Sequence, residues 1–381
     1  MNHTPIPDFV ATKNCDGAER EGGQRLRPER SEIALSDAYF LIHGNKASTP
    51  HEQGLYRPPF DDFFPSYSEA ALPDRLGRYA IAHGRAVEMA RFIQAQFKSV
   101  ATKFPSFGAE ERAIATDLLE CGSYLHFRHF YTVNEVKLAG MCSCKRHLLC
   151  PLCAIRRAAK TVKAYMEKYE VVQCESSGLK AYLVTFTVLN GSDLAERFNH
   201  LQDSLKLLYA QRRKAASGCS NRNKPNEANK ALGGVGSFEV KRGKCSGGWH
   251  PHAHFIWLCE QEPDVLQLQR EWLHITGDSF MVDVTPFRDA EGVSGGFLEV
   301  FKYALKFSSM TLSDNWEAYT VLQRRRLVSS FGNFRGVEIP ERLTDEISYD
   351  DLPFIELVFR YLNGSYKLTQ STNPQGNAQS A

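Results

Sequence analysis

The sequence predicts an α+β protein: an antiparallel sheet of about five strands with helices packed on it, following a helical region that carries a cysteine cluster. Three observations predict it. Apolar residues recur at helical spacing over residues 74–104. Short β-branched and aromatic runs ending at turn signals follow from residue 181 onward. Two of those runs, GSFEVKR and HAHFIWLC, are joined by a short Gly-bounded loop that suits an antiparallel pair. At 43% hydrophobic and 24% charged residues in 381 positions, the composition is that of an ordinary globular chain, which excludes a disordered chain, a collagen and a coiled-coil rod.

Taken in order, residues 1–75 mix Pro, Gly, Asn, Ser and charge without sustained periodicity and are expected to form a flexible arm. Ile81, Val87, Met89, Ala90, Phe92, Ile93 and Phe97 form an apolar stripe on a first helix, and Glu110 to Glu120 reads as a second. A Cys cluster at 142–153 leads into a basic helix reaching about Tyr169. AYLVTFTVL, Ala181 to Leu189, is a strand stopped by Asn190-Gly191. Ser192 to Tyr209 is expected to be helical, and SGCSNRNKPNEANKALGGVG, residues 217–236, to be a loop. Strands over Gly236 to Arg242, His252 to Cys259 and SFMVDVTPF follow, then a helix from about Phe297 to Ser309.

The expected organisation is an arm at 1–75, a helical region with the Cys cluster at 76–175, a catalytic domain at 176–337, and an acidic segment with a polar tail at 338–381. No apolar run approaches the ~20 residues of a membrane helix. The first residues lack a basic region followed by an apolar core, so no secretory signal is expected and the location is expected to be cytoplasmic. Its ten cysteines are then expected to be reduced, so that clustered ones suggest metal rather than bridges.

A formal net charge of +2 conceals an uneven distribution. Lys145 to Lys163 carries a local +6, Lys206 to Lys244 a local +8, and Glu338 to Glu356 a local −6. Basic segments are commonly just solvated surface; phosphate-bearing partners are the leading functional alternative. The acidic stretch fits a surface helix, a partner site or a mimic of DNA charge, and the residues do not rank these.

The strongest chemical signal is WHPHAHFIW. In a strand, alternate side chains share a face, so His252 and His254 project together and can hold one divalent cation. Apolar residues on both parities (Ala253, Phe255 and Trp257; Ile256 and Leu258) mark this strand as central and covered on both sides. Glu239, between Phe238 and Val240, is the best candidate for a third ligand from the neighbouring strand. The alternative is a surface carboxylate that balances Lys241 and Arg242.

A second constellation lies in LEVFKYALK. At helical spacing Glu299, Tyr303 and Lys306 fall in one polar sector, while Leu298, Phe301, Ala304 and Leu305 anchor the other side. A Tyr with Glu at i−4 and Lys at i+3 suits nucleophilic chemistry, the Lys polarising an electrophile and the carboxylate activating a water in a second step. Alone, the same pattern also describes an ordinary amphipathic helix.

The ordered set LVTFTVLN, an E-V pair, WHPHAHFIW and E-x3-Y-x2-K resembles plasmid rolling-circle replication initiators of the HUH endonuclease superfamily, over about residues 140 to 337. CPLCAIRRAAK also looks like the corresponding part of that family. The resemblance implies an HUH-type central antiparallel sheet and a site-specific DNA nicking and joining enzyme. In it, Tyr303 attacks the origin phosphodiester, becomes linked to the 5′ phosphate and frees a 3′ hydroxyl that primes synthesis. His252 and His254 match the metal pair, and Glu299 the acid that replaces a second Tyr, so that termination uses activated water. Lys306 would position the phosphate. Mg²⁺ or Mn²⁺ is the implied catalytic ion, plasmid origin DNA (single-stranded or an extruded hairpin) the implied substrate, and host helicase and polymerase the implied partners. Ala253 is smaller than the residue often found between the histidines of the family, and no motif specifies the third ligand.

Cys142, Cys144, Cys150 and Cys153, with His147 among them, have the number and spacing of a structural Zn²⁺ site. Such a site would order the following helix, whose Arg156, Arg157, Lys160 and Lys163 are expected to grip DNA phosphates. Three rival functions remain open. A single-Tyr HUH transposase or relaxase shares the chemistry. A zinc-dependent DNA-binding regulator would bind without cutting. A metal-dependent hydrolase would be indifferent to Tyr303→Phe.

Overall fold

Residues 67–103, 108–176, 178–216, 226–243, 247–288, 290–302, 310–349 and 351–374 are described by a computed structural model. Of the arm expected over residues 1–75, residues 1–66 lie outside the described residues, as do Tyr303 and Lys306, while the remainder of that span includes the start of a helix at Leu72. Among the described residues no helix is long and apolar enough to cross a membrane.

In chain order the elements are α1 (Leu72–Lys103), α2 (Ala109–Glu120), β1 (Tyr124–Phe130), β2 (Glu135–Met141), α3 (Pro151–Glu175), β3 (Lys180–Thr187) and α4 (Leu194–Ala216). There follow β4 (Ala231–Arg242), β5 (Trp249–Cys259), α5 (Val265–Thr276), β6 (Val282–Pro286), α6 (Ala290–Phe301), α7 (Leu312–Leu322), β7 (Val328–Gly332), β8 (Ile355–Leu362) and β9 (Ser365–Thr372). The strands form two antiparallel sheets, a four-stranded one in the order β2-β1-β8-β9 and a five-stranded one in the order β6-β3-β5-β4-β7. The fold class is α+β, and the His-bearing strand β5 stands at the centre of the larger sheet.

Both faces of that sheet are covered, which explains the near-continuous apolar run in β5. Phe238, Phe255 and Trp257 face α4: Phe198 meets Phe238 at 5.5 Å, Tyr209 meets Phe255 at 5.6 Å, and Trp257 Nε1 donates to Tyr209 Oη at 3.3 Å. Trp272 of α5 packs on Phe186 of β3 at 4.9 Å on the same side. The opposite parity, including Ser237 and Glu239, faces α6. Behind α6 lies α3, with Tyr165 stacked on Phe301 at 5.0 Å and Tyr169 edge-on to Phe297 at 6.1 Å.

β4 starts five residues earlier than expected, because ALGGVG reads as a loop but is strand. Its glycines are there for close packing: a Cβ on Gly236 would stand 2.3 Å from the Phe255 ring, and one on Gly234 would stand 2.6 Å from Phe331.

The C-terminal region departs from expectation. Residues 338–381 do not form only an acidic segment and a polar tail, since β8 and β9 complete the smaller sheet. β8 pairs with β1, setting Leu125 opposite Phe359 and Phe127 opposite Leu357. One sheet thus joins the segments expected to be separate at 76–175 and 338–381. The signal in β1 was a period-2 pattern, with Leu125 and Phe127 buried and His126 and Arg128 between them half-exposed.

Candidate metal centre

The antiparallel register of β4 and β5 sets Glu239 directly opposite His252 and Ser237 opposite His254, while β3 sets Thr185 opposite His254. Matching parity brings these side chains to one face, the face under α6. His252 Nε2 lies 3.2 Å from Glu239 Oε1, and His254 Nε2 lies 3.5 Å from Glu239 Oε2. All three ligand atoms fall within 4.8 Å of one another, and all three residues are buried, Glu239 to 1% exposure.

Two further contacts orient the imidazoles. His254 Nδ1 meets Thr185 Oγ1 at 3.0 Å, and His252 Nδ1 faces the His250 carbonyl at 3.3 Å. With Nδ1–H donating in each ring, both Nε2 lone pairs turn toward the carboxylate. Three electron-rich atoms then converge in a buried space, and His254 Nε2 has no hydrogen-bond partner there. Such a set is stabilised by a cation between them. The donors fit: two imidazoles and one carboxylate on a single face would suit a divalent ion. Beside them, burial, then His252 and Lys241, push the His250 imidazole down to about 4, while its Nδ1 meets Asn190 Oδ1 at 2.5 Å.

α6 is pinned over this face. Ser237 Oγ, fully buried, donates to the Val300 carbonyl in the last described turn of α6. Glu299 is half-buried one residue earlier, with its carboxylate paired to Lys302. In sequence Tyr303 stands four residues after Glu299 and two after Phe301, the last residue of α6. Thr185, Ser237 and Lys302 escape sequence reasoning. Only the i,i+3 spacing of Glu299 and Lys302 offered a signal; Thr185 and Ser237 acquire meaning from strand register alone.

Within the basic helix, Arg156 is a correction. Arg156 is buried, and its guanidinium donates to Asp345 Oδ1 at 2.5 Å, the Leu343 carbonyl at 2.6 Å and Tyr79 Oη at 3.1 Å. Arg157 donates to the Pro340 carbonyl at 3.1 Å, and Lys160 and Lys163 both pair with Glu346. The acidic stretch therefore lies along α3 and takes up the cations expected to grip DNA. Arg156 in particular is a core residue, because Asp345 compensates its charge away from water.

The expected thiol set changes by one member. Cys144, Cys150 and Cys153 come together with Cys121, which ends α2, and Cys142 stays outside the group. Cys142 instead gives its carbonyl to the Gly122 N–H at 2.8 Å.

An α+β protein with a central strand presenting two histidines to a carboxylate on its neighbour carries the donor set of a candidate metal centre built on a sheet. Over residues 135–356, more than half of its length, the chain matches the family described as replication protein, and it belongs to that family. The membership supports a plasmid replication initiator. No curated protein and no solved structure matches the chain.

Proposed function

We propose that this replication protein is a site-specific DNA-nicking enzyme of the His-hydrophobic-His type, which starts rolling-circle replication at a plasmid origin. The observation that carries this is the convergence of His252 and His254 from the central strand on Glu239 of its neighbour, beneath the helix that leads to Tyr303. Residues 176–337 carry the chemistry.

His252, His254 and Glu239 hold a divalent cation, Mg²⁺ or Mn²⁺, which supplies Lewis-acid polarisation of the scissile phosphate. Thr185 and the His250 carbonyl keep both imidazoles in the tautomer that presents Nε2. Ser237 fixes the end of α6 against the same face, so that Glu299 approaches the phosphate from one side. The Tyr303 hydroxyl oxygen attacks phosphorus, the bond to the 3′ oxygen breaks, and the 5′ phosphate stays on the tyrosine while a 3′ hydroxyl is released. Lys306 positions the phosphate. Glu299 takes a proton from the water that hydrolyses the link at termination. The DNA must be single-stranded or extruded as a hairpin, since the scissile phosphate has to reach the buried His/Glu face and Tyr303 together. Host helicase and polymerase would then act on the exposed 3′ end.

The test incubates the purified protein with labelled single-stranded origin oligonucleotides and Mn²⁺, and looks for a denaturant-stable protein–DNA adduct. The adduct should disappear in Tyr303→Phe and His252→Ala. In Glu299→Ala it should persist longer, by on the order of 10²-fold, the contribution of a general base. Cleavage that survives Tyr303→Phe would instead identify a hydrolase, and binding without cleavage or adduct a regulator.

A further inference from the structure

We propose that Cys121, Cys144, Cys150 and Cys153 form a structural tetrathiolate zinc site that locks the N-terminus of α3 to the end of α2, and thereby sets the position of α6 over the His/Glu centre.

The four ligands come from three places: Cys121 caps the C-terminus of α2, Cys144 follows β2, and Cys150 and Cys153 open α3. Pro151 at the first helical position lets the chain turn tightly between the last two. Sγ of Cys121 lies 3.5 Å from Sγ of Cys153 and 3.5 Å from Sγ of Cys150, and Sγ of Cys144 lies 3.6 Å from Sγ of Cys153. A regular ZnS₄ tetrahedron with Zn–S bonds of about 2.3 Å has edges of about 3.8 Å, so the sulfurs already sit close to its corners. A disulfide needs about 2.05 Å, and these residues are free cysteines. All four Sγ atoms lie within 4.8 Å of one another; Cys121, Cys150 and Cys153 are buried and Cys144 partly so.

The surroundings suit thiolates. The Cys144 N–H points at Sγ of Cys121 at 3.4 Å, and His83 Nδ1 meets the Cys121 carbonyl at 2.6 Å, fixing the ligand's backbone. Four thiolates close a tetrahedral zinc site and leave no ligand position for water, as in closed structural sites. The consequence for the rest of the fold follows from α3. Its first turn carries two of the ligands, and its later turns carry Tyr165 and Tyr169, which pack on Phe301 and Phe297 of α6. This inference does not depend on the nicking chemistry.

The test measures metal content by inductively coupled plasma mass spectrometry on full-length protein purified without chelator, together with the thiolate charge-transfer and visible bands of a Co²⁺-exchanged sample. We expect about one zinc per chain, the stoichiometry of a four-thiolate site, and a tetrathiolate Co²⁺ spectrum. Both should be retained in His252→Ala and in Cys142→Ser, and lost in Cys121→Ser. Loss of zinc in His252→Ala with retention in Cys121→Ser would place the ion at the other centre and overturn the proposal. So would loss in Cys142→Ser with retention in Cys121→Ser, or the absence of tightly held zinc from the wild type. Should Cys121→Ser fail to fold, wild-type alkylation decides. Cys121, Cys144, Cys150 and Cys153 should resist iodoacetamide until a chelator is added, and modification of these four that is indifferent to chelator would sink the site.

Discussion

Asp345 lies between two guanidiniums in the core, accepting from Arg75 Nη2 at 2.8 Å and Arg156 Nη2 at 2.5 Å, with both pairs almost fully buried. It also accepts from the Leu138 N–H at 2.6 Å, in the middle of the edge strand β2. Burial alone would raise its pKa, but Arg156 and Arg75 more than offset this and hold the carboxyl well below the usual range. Asp345→Ala should therefore cost about 3–5 kcal/mol in urea unfolding, because two buried cations lose their counterion. Since the folded pKa lies below the unfolded one, the contribution is complete above about pH 4 and lost as pH falls toward the folded value. Asp345→Asn should accordingly show a shallower loss of stability on acidification than wild type. Thr185 makes the second prediction at this scale. Thr185→Val removes the oxygen that orients His254, and Mn²⁺ affinity measured by titration calorimetry should drop by about 10–100-fold with the fold intact.

At the scale of elements, β4 and α3 explain how the centre is held. The glycines of β4 allow aromatic rings from β5 and β7 to press against its backbone, so the strand is positioned by packing as well as by its ladder. Gly236→Ala would force a Cβ to within 2.5 Å of the His254 carbonyl oxygen. The strand must then shift beside the metal ligands, at a cost of about 1–3 kcal/mol, and circular dichroism melts together with Mn²⁺ titration would read both effects. Tyr165 stacks on Phe301 from behind, and Tyr165→Ala should lower stability by about 3–5 kcal/mol. Loosened against α3, α6 should also form the covalent adduct more slowly than wild type at temperatures where both are folded. Unchanged adduct kinetics in a folded Tyr165→Ala would show that α3 plays no part in placing α6.

At the scale of the molecule, the C-terminal hairpin closes the smaller sheet. Residues Ile355–Leu362 of β8 take the ladder of β1, and the preceding acidic strap covers α3. Truncation after residue 350 should leave the β1 edge unpaired and its apolar neighbours exposed, giving a lower melting temperature and self-association in size-exclusion chromatography. The strap also changes how the charge distribution is understood. Arg156, Lys160 and Lys163 of the basic segment at 145–163 pair with Asp345 and Glu346 of the acidic one at 338–356, so part of the local +6 is compensated within the fold.

Much was legible in the sequence where the chemistry is local. Alternation placed His252 and His254 on one face, the apolar flanks put their strand at the centre of the sheet, and the short Gly-bounded loop put Glu239 on the adjacent strand. The shared face follows from a period of two along extended backbone, the central position from apolar residues on both parities, and the neighbouring strand from the shortness of the loop. What only the tertiary structure decided lies far apart along the chain: Cys121 in place of Cys142, Thr185 behind His254, Ser237 under α6, Asp345 between Arg75 and Arg156, and β8 beside β1. The physical reason is the same in each case. Spacing in sequence governs which side chains share an element's face, whereas partners on different elements are selected by packing, strand register and the need to compensate buried charge.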